Sequence, residues 1–573
     1  MTRQRIRECI TRAIAALQQE GKLPAFALPE FSVEAPEDPA HGDYATNAAL
    51  LVSRITKEKP MEVAGAIAER VALGIVKAES APPGFINFVI SDQYLLVGLQ
   101  DALHQEKEWG RLSPKRETIV VEYSSPNIAK PLGVHHLRST IIGQAIVNIL
   151  RAAGYEAVSL SFPGDWGTQF GLLIAGYKRW GDAEKIKQHP IDEMLELYVR
   201  FSQAAKDDPA LLRQGRAEFR KLEEGDSDNR KLWQWFLDES LRDFNRVYEL
   251  LGVTIEHTIG ESHYEPELKG IVADALARGV ANRGDDGSVV IPIPGSPTPE
   301  IIQKSDEASI YTTRELAAIR HRLAQWNADK ILYVAANQQT FHLEQVFRSA
   351  ELLGYAKPGQ LAHVKFGMML GPGGKKFATR EGRLIPLADV LGEAVSRSRA
   401  VVERLNPELP GDKKDEIARA VGIGAVKYFD LSHHRLSDII FEWDRMLSLE
   451  GATAPYLQYT HARFRSILRK GNVASAPPVQ RGVELGNGEH RLLVAMLRFP
   501  EAIEDALKDY TPNTLANYLY HLAELANNFY HSHPVLKEPD EAKRQARMAL
   551  VSGVALTLAK GLGLLGIAAP EEM

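Results

Sequence analysis

The stretch that decides the fold runs from residue 117 to 154: "ETIVVEYSSPNIAKPLGVHHLRSTIIGQAIVNILRAAG". A run of β-branched residues, Thr118 to Val121, reads as a buried strand. The Ser- and Pro-rich segment 124–132 reads as a loop, and from Leu137 the apolar spacing becomes helical. Strand, loop and helix N-terminus together place backbone N–H groups and a positive dipole end where an anion binds. Lys130 adds a point charge, and His135 and His136 add imidazole donors at the helix mouth after Gly133. The spacing fits neither a Walker A loop nor G-x-G-x-x-G, so the two commonest nucleotide fingerprints do not apply. Taken alone, His136 reads equally well as a satisfied polar residue near a helix start.

Outward from this stretch, strand and helix patterns alternate. "EAVSLSFPGDWGTQFG" (156–171) reads as strand then glycine-punctuated turn, and "DKILYVAANQQTFHLEQVFRSAELLGY" (329–355) as strand, loop and helix. That alternation predicts a parallel α/β sheet of Rossmann type with ligands at the carboxyl ends of its strands. Charged, Trp-containing helical sequence at about 183–250 interrupts it as an insertion. The expected organisation is an α+β N-terminal domain (1–112), the Rossmann-type domain (113–385) and an all-α C-terminal part (386–573) whose bundle core spans about 455–573. "NVASAPPVQRGVELGNGEH" (472–490) reads as a long surface loop.

At 573 residues the chain exceeds one ordinary core. Its 45% hydrophobic and 25% charged content is that of a globular protein. One cysteine, Cys9, excludes a disulfide framework and fits a reducing compartment. The apolar run "MALVSGVALTLA" (548–559) is shorter than the roughly 18 residues of a membrane helix. The Arg-rich N-terminus, with Ile6, Ile10, Ile14 and Leu17 on one face, reads as an amphipathic first helix rather than a transit peptide, because Glu8 and Glu20 interrupt its charge. A formal net charge of −6 confines any nucleic-acid site to a local basic surface.

The residues 124–143 resemble the HIGH signature of class I aminoacyl-tRNA synthetases, and specifically that of the arginyl-tRNA synthetases. "HGDYATNAA" (41–49), "GDWGTQFG" (164–171), "GESHYEP" (260–266), "YTTRELAAI" (311–319), "FGMMLG" (366–371), "AVGIGAVKY" (420–428), "FEWDRMLSLEGATAPYLQYTHAR" (441–463) and "GLGLLGIAAPEEM" (561–573) are similar to the same family in the same order. The resemblance implies a cytoplasmic, monomeric enzyme. It would use ATP with Mg²⁺, and no tightly bound cofactor, to activate L-arginine and pass it to tRNA(Arg), with activation dependent on bound tRNA. His136 would then donate to phosphate. The second signature, KMSKS, is degenerate in "KKFATREG" (375–382): Lys376 is present, Thr379 stands where the second lysine usually sits, and Lys130 would supply the missing charge.

By motif position, Glu122, Asn127, Glu261, Tyr311, Glu315 and Gln339 resemble the family's arginine pocket. Tyr311 and Glu315, four apart in a helical pattern, share one face that can cradle a planar cation. Tyr456, Tyr459, His461, Arg463, Arg465, Arg469 and Lys470 mix stacking faces with cations, which suits an anticodon loop. His41, Asp43 and Asn47 either touch RNA or hold a turn. The family pattern His-x-Gly-His reads Gly133-Val134-His135-His136 here, so that His135 either stacks on the adenine or forces the loop to shift. Glu315 replaces the usual Asp, which predicts a rearranged pocket. Two rivals follow from these departures: a tRNA-binding paralogue without catalysis, and a ligase of altered amino-acid specificity. A dinucleotide-dependent oxidoreductase is disfavoured by the missing fingerprint.

Overall fold

The computed structural model describes residues 2–71, 76–305, 310–375, 385–473, 477–480 and 482–573. The deciding stretch folds as β1 (Thr118–Glu122) and α1 (Val134–Ala152). Three more elements follow: β2 (Glu156–Ser161), the 25-residue insertion helix α2 (Ser227–Leu251) and the short β3 (His257–Thr258). Then come α3 (Tyr311–Gln325), β4 (Lys330–Ala336) and β5 (Leu361–Phe366). The five strands form one parallel sheet in the order β5-β4-β1-β2-β3. From central β1 the chain builds outward through β2 and β3, then returns to the other side of β1 through β4. The crevice between β1 and β4 is therefore the topological switch point, where such sheets bind ligands. Ile119, Val120 and Val121 are buried, as expected of a central parallel strand covered on both faces.

The insertion is helical throughout: Ala183–Gln188, Pro190–Asp207, Pro209–Glu223 and α2. Three of these four begin at an aspartate whose carboxylate accepts backbone N–H groups of the first turn: Asp182, Asp208 and Asp226. Between β3 and α3, three short antiparallel strands (Asn282–Arg283, Val289–Ile291, Glu300–Gln303) form an excursion that the sequence reading passed over.

The N-terminal part is a four-stranded antiparallel sheet in the order Val33–Glu34, Tyr44–Thr46, Phe85–Ile90, Val76–Ala81. The helix Thr2–Gln19 buries Ile6, Ile10, Ile14 and Leu17 as its periodicity predicts. The C-terminal half is built on α4 (Gly411–Leu431), α5 (Ala454–Lys470), α6 (Pro512–Ser532) and α7 (Glu541–Leu564). Helix α7 is longer than the apolar run suggested, and by length and composition it could cross a membrane. Here it lies in the bundle, with Leu550, Val551, Val554, Leu558 and Leu562 buried in the main core. A buried ion pair, Arg138 to Asp430 at 3.0 Å, fastens α1 to α4.

The segment read as a long surface loop forms no helix or strand in its described residues up to Gly486, and its later part runs along the helix Asp92–His104. The N–H groups of Val479, Gly482 and Leu485 donate to Gln100 (2.9 Å), Gln93 (3.2 Å) and Asp92 (3.0 Å). Polar loop sequence thus has its backbone satisfied by side chains of a helix nearly 400 residues away in sequence.

Just beyond this segment, both ring nitrogens of His490 face carboxylates of the N-terminal domain: Asp92 at 2.8 Å and Asp43 at 3.1 Å. Hydrogen bonds to these two aspartates, against the opposing cost of burial, hold the imidazolium above its ordinary range. A raised folded-state pKa contributes stability fully below the ordinary histidine value of about 6.5 and loses it as pH rises through the folded value. His490→Gln is therefore expected to lower stability by about 1–3 kcal/mol at pH 5.5. The gap in melting temperature between wild type and variant should narrow by pH 8.5, which differential scanning calorimetry at the two pH values checks.

Candidate functional site

The crevice at the switch point is built first from backbone. Ser139 on α1 donates to the Val334 carbonyl of β4 (2.8 Å) and accepts from the Ser124 N–H at the end of β1 (3.0 Å). One hydroxyl thus pins α1 across both strands. The loop between β1 and α1 holds Ser124 and Ala129 at φ of 53° and 60°, a region costly for residues with a Cβ. The insertion helix braces both: Ser124 Oγ meets the Tyr248 hydroxyl at 2.9 Å, and the Ala129 N–H donates to Ser240 Oγ at 3.0 Å.

At the mouth of α1, the His136 N–H donates to the Gly133 carbonyl (2.9 Å) while the Gly133 N–H donates to His136 Nδ1 (3.1 Å). The ring does what a Glu does in a capping box. Burial, with His135 adding to it, pushes His136 down to about 3, so the imidazole is neutral. With Nδ1 accepting, its one proton sits on Nε2, a donor held ready for an anion. Lys130 is half-buried, with its ammonium 5.6 Å from the ring centre of Tyr198 on the insertion. Lys376 and Thr379 lie outside the described residues, but the chain that follows them is fixed. Val134 N–H donates to the Ile385 carbonyl (3.2 Å), and Leu387 N–H donates to that of Leu132 (2.7 Å). The chain at 385–387 is therefore tied to the first signature loop through paired backbone bonds.

Deeper in the crevice lie three glutamates. Glu122, at the end of β1, is paired with Arg322 of α3, a fully buried guanidinium that also donates to the Tyr333 hydroxyl at 3.2 Å. Glu315, also on α3, is 2% exposed, and its Oε2 is buried without a hydrogen-bond partner. Burial first, then the Glu122 charge, pushes its carboxyl up to about 8. Tyr311, one turn earlier, hydrogen-bonds Glu315, and chiefly through that carboxylate its phenol is pushed well above the usual range. Much of the Tyr311 ring stays exposed at the crevice lip. Glu261 is pushed up to about 7 by burial, against the pull of Arg314 3.9 Å away. Its loop is fixed by Asp165, which accepts from the Ser262 N–H (2.8 Å) and hydroxyl (2.6 Å).

Carboxylates outnumber the cations among these groups, and Glu315 lacks a partner for one oxygen. Such a site is a socket for a cation. Tyr311 lies beside it with a planar face and a hydroxyl. Asn127 sits exposed at the rim, bridged through its backbone to Gly164. Gln339 is exposed in the single turn Asn337–Gln339 that follows β4.

Sequence reasoning missed several members. Arg322 was unread because a basic residue late in a helix looks like a solvated face. His342, in the quoted "QQTFHLEQ", packs 5.0 Å from Tyr311 with a buried, unpartnered Nε2. Gly164 was noted only as turn punctuation. A Cβ there would stand 2.4 Å from Asn127 Oδ1 and 3.7 Å from Glu261 Oε1, so the glycine keeps open the space between two rim groups. Gly164→Ala is expected to raise the KM for the cationic substrate about tenfold or more with an unchanged circular dichroism spectrum, measured by steady-state kinetics.

Two distal surfaces complete the picture. On α5 and α6, the Arg463 guanidinium lies 4.6 Å from the Tyr459 ring and 4.7 Å from the Tyr530 ring, and both tyrosines are exposed. Tyr530, on α6, is a partner the sequence reading did not include. Tyr456 is half-buried against Tyr520 at 5.7 Å. His461 is buried on the Pro570 carbonyl, and Arg465 and Arg469 reach Glu571, so these three are turned to the chain's own C-terminus. In the N-terminal domain, Asp43 accepts from the Ile90 N–H (2.7 Å) and meets His490, and Asn47 accepts from the Ser32 N–H (3.0 Å). These two hold a turn and an interdomain contact, while His41 is exposed.

Comparison with known proteins bears on the family and the fold. Residues 98–443 match the family model "tRNA synthetases class I (R), catalytic domain", residues 4–90 the "Arginyl tRNA synthetase N terminal domain", and residues 457–573 the "DALR anticodon binding domain". The chain is similar to an arginine–tRNA ligase of an Exiguobacterium species, 40% identical over 545 residues, covering 95% of this chain and 96% of that one. It is likewise 38% identical over 566 residues to that of Chloroflexus aurantiacus, with 98% of each chain covered. Among solved structures, the arginyl-tRNA synthetase of Thermus thermophilus superposes with a TM-score of 0.82 at 26% identity, all of both chains covered. That of Plasmodium falciparum gives 0.83 at 25%, with 100% and 99% covered.

Proposed function

The chain belongs to the arginyl-tRNA synthetases of class I, and from that premise we propose that it activates L-arginine with ATP and esterifies it to tRNA(Arg). The observation that carries the choice of amino acid is Glu315: a buried carboxylate with one oxygen unpartnered, beside Tyr311 and two further glutamates. A guanidinium offers a planar array of donors to that socket, and Arg322, whose Nη1 is bound to Glu122, makes no hydrogen bond to the free Glu315 oxygen.

The arginine carboxylate attacks the α-phosphorus of ATP, forming the acyl–phosphate bond as the bond to pyrophosphate breaks. A hydroxyl of the terminal ribose of tRNA then attacks the acyl carbon and releases AMP. No covalent enzyme intermediate is required, so the protein's work is alignment and charge neutralisation. His136 Nε2–H donates to phosphate, and Lys130 and Lys376 balance the charge that grows on the leaving pyrophosphate. Gly133 and His135 line the nucleotide side of the loop, and Mg²⁺ arrives with ATP as its counterion. Asn127, Glu261 and Gln339 ring the amino-acid side. On the distal face, Tyr459, Arg463 and Tyr456 receive the anticodon loop, with His41 toward the outer corner of tRNA. We place the enzyme in the cytoplasm as a monomer, with activation dependent on bound tRNA. Charging of a tRNA(Arg) transcript with labelled arginine tests the reading. Acid-precipitable product that requires ATP supports it, and none from folded protein refutes it.

A further inference from the structure

The signature loop departs from the His-x-Gly-His pattern at two positions, and the structure relates them. A Cβ built on Gly133 would stand 2.7 Å from both Cε1 and Nδ1 of His135. The imidazole of residue 135 therefore folds back into the volume where a side chain on residue 133 would begin. Its ring centre is 3.8 Å from that of His136. The backbone at Gly133 is ordinary, with φ of −85°, so no conformational demand calls for glycine there. The demand is for room.

We propose that Gly133 and His135 are a compensating pair: His135 delivers, from the third position of the signature, the imidazole that the family pattern carries on the first, and residue 133 is glycine to admit that ring. The exchange keeps two neighbouring imidazoles at the mouth of α1, one held by the Gly133 N–H and one lying over Gly133 itself. His135 is exposed at the loop, and in this pairing it acts as a positioning group on the nucleotide side rather than as an obstruction. This inference rests on the nucleotide role assigned to the loop in the preceding section.

The test is a double-mutant cycle on the full-length protein, read as the KM for ATP in arginine activation. Gly133→Ala is expected to raise that KM about tenfold in the wild-type background and less than about twofold alongside His135→Gly. Gly133→His with His135→Gly, which restores the family order, is expected to outperform either single substitution. Equal effects of Gly133→Ala in both backgrounds would overturn the pairing, as would a restored-order variant no better than its parents. A readout independent of turnover keeps the two readings apart. The His135 ring signals in a histidine-labelled NMR spectrum must move on Gly133→Ala and stay still on His41→Ala. If they do so while the wild type fails to use ATP, the parent reading falls and the pairing stands. If they do not move, the pairing is wrong whatever the kinetics.

Discussion

Glu315→Gln is expected to lower kcat/KM for arginine by about 10²–10³, because it leaves a bound guanidinium in a desolvated pocket without its carboxylate. Glu122 is balanced by Arg322, and Glu261 lies within reach of Arg314, but one oxygen of Glu315 is buried and unpartnered. Glutamine preserves volume and the hydrogen bond from Tyr311 while removing the charge, so folding is expected to survive. Because the free-site carboxyl is largely protonated below pH 8, the neutral amide replaces a neutral carboxyl there, and the variant is expected to be about as stable as wild type toward heat. The pH dependence follows with a definite sign. In the free site the carboxyl is pushed up to about 8, mainly by burial and then by Glu122. Arginine keeps its positive charge throughout and prefers the ionised form. Binding therefore releases a proton below pH 8, and KM for arginine falls as pH rises from 6 toward 8, then levels off. Calorimetry in buffers of different ionisation enthalpy measures the released proton directly. Glu315→Gln is expected to remove the part of the release and of the pH dependence above about pH 7, leaving the contribution of Glu261, which is pushed up to about 7. Glu315→Asp, which keeps the charge and shortens the reach, is expected to keep the proton release at reduced affinity.

Lys130→Ala is expected to lower kcat by about 10²–10³ with little change in KM for arginine, as removal of a charge that acts on the developing phosphate charge should. Lys130 has no carboxylate ion-pair partner among the described residues, and its ammonium faces the Tyr198 ring of the insertion. An ammonium over an aromatic face keeps a charge that no carboxylate neutralises. This one is half-buried on the loop that carries the signature. Single-turnover measurement of adenylate formation separates the chemical step from release. A loss confined to that step supports the role, and an unchanged rate assigns the charge to Lys376 alone.

How much of this was legible in the sequence depends on how far each interaction reaches along the chain. The β1–loop–α1 unit was legible because strand periodicity, turn residues and helix periodicity occur within one 38-residue window. The same holds for Tyr311 and Glu315, four residues apart on α3. The balance of charge in the pocket was not legible: Arg322 meets Glu122 across 200 positions, and no local pattern distinguishes it from a surface arginine. The turn at Asp43 offered two readings, and the choice needed His490, 447 residues away. Tyr530 joined the Tyr459–Arg463 stack only once α6 packed beside α5. The loop at 472–490 was legible as a loop, but what it lies against was not. Its polarity is real, but its backbone donors find Gln93, Gln100 and Asp92 rather than water. Exchange of Gly133 and His135 looked like damage in one dimension, and folding the ring back over the glycine makes it a repacking.

ATP–pyrophosphate exchange measured with each standard amino acid, with and without total tRNA, tests the assignment most directly. Exchange is expected with arginine, in the presence of tRNA, and with no other amino acid. Exchange driven by a different amino acid would contradict the assignment of the Glu315 socket. No exchange at all, on folded protein that still binds tRNA, would contradict the enzyme and leave a tRNA-binding paralogue.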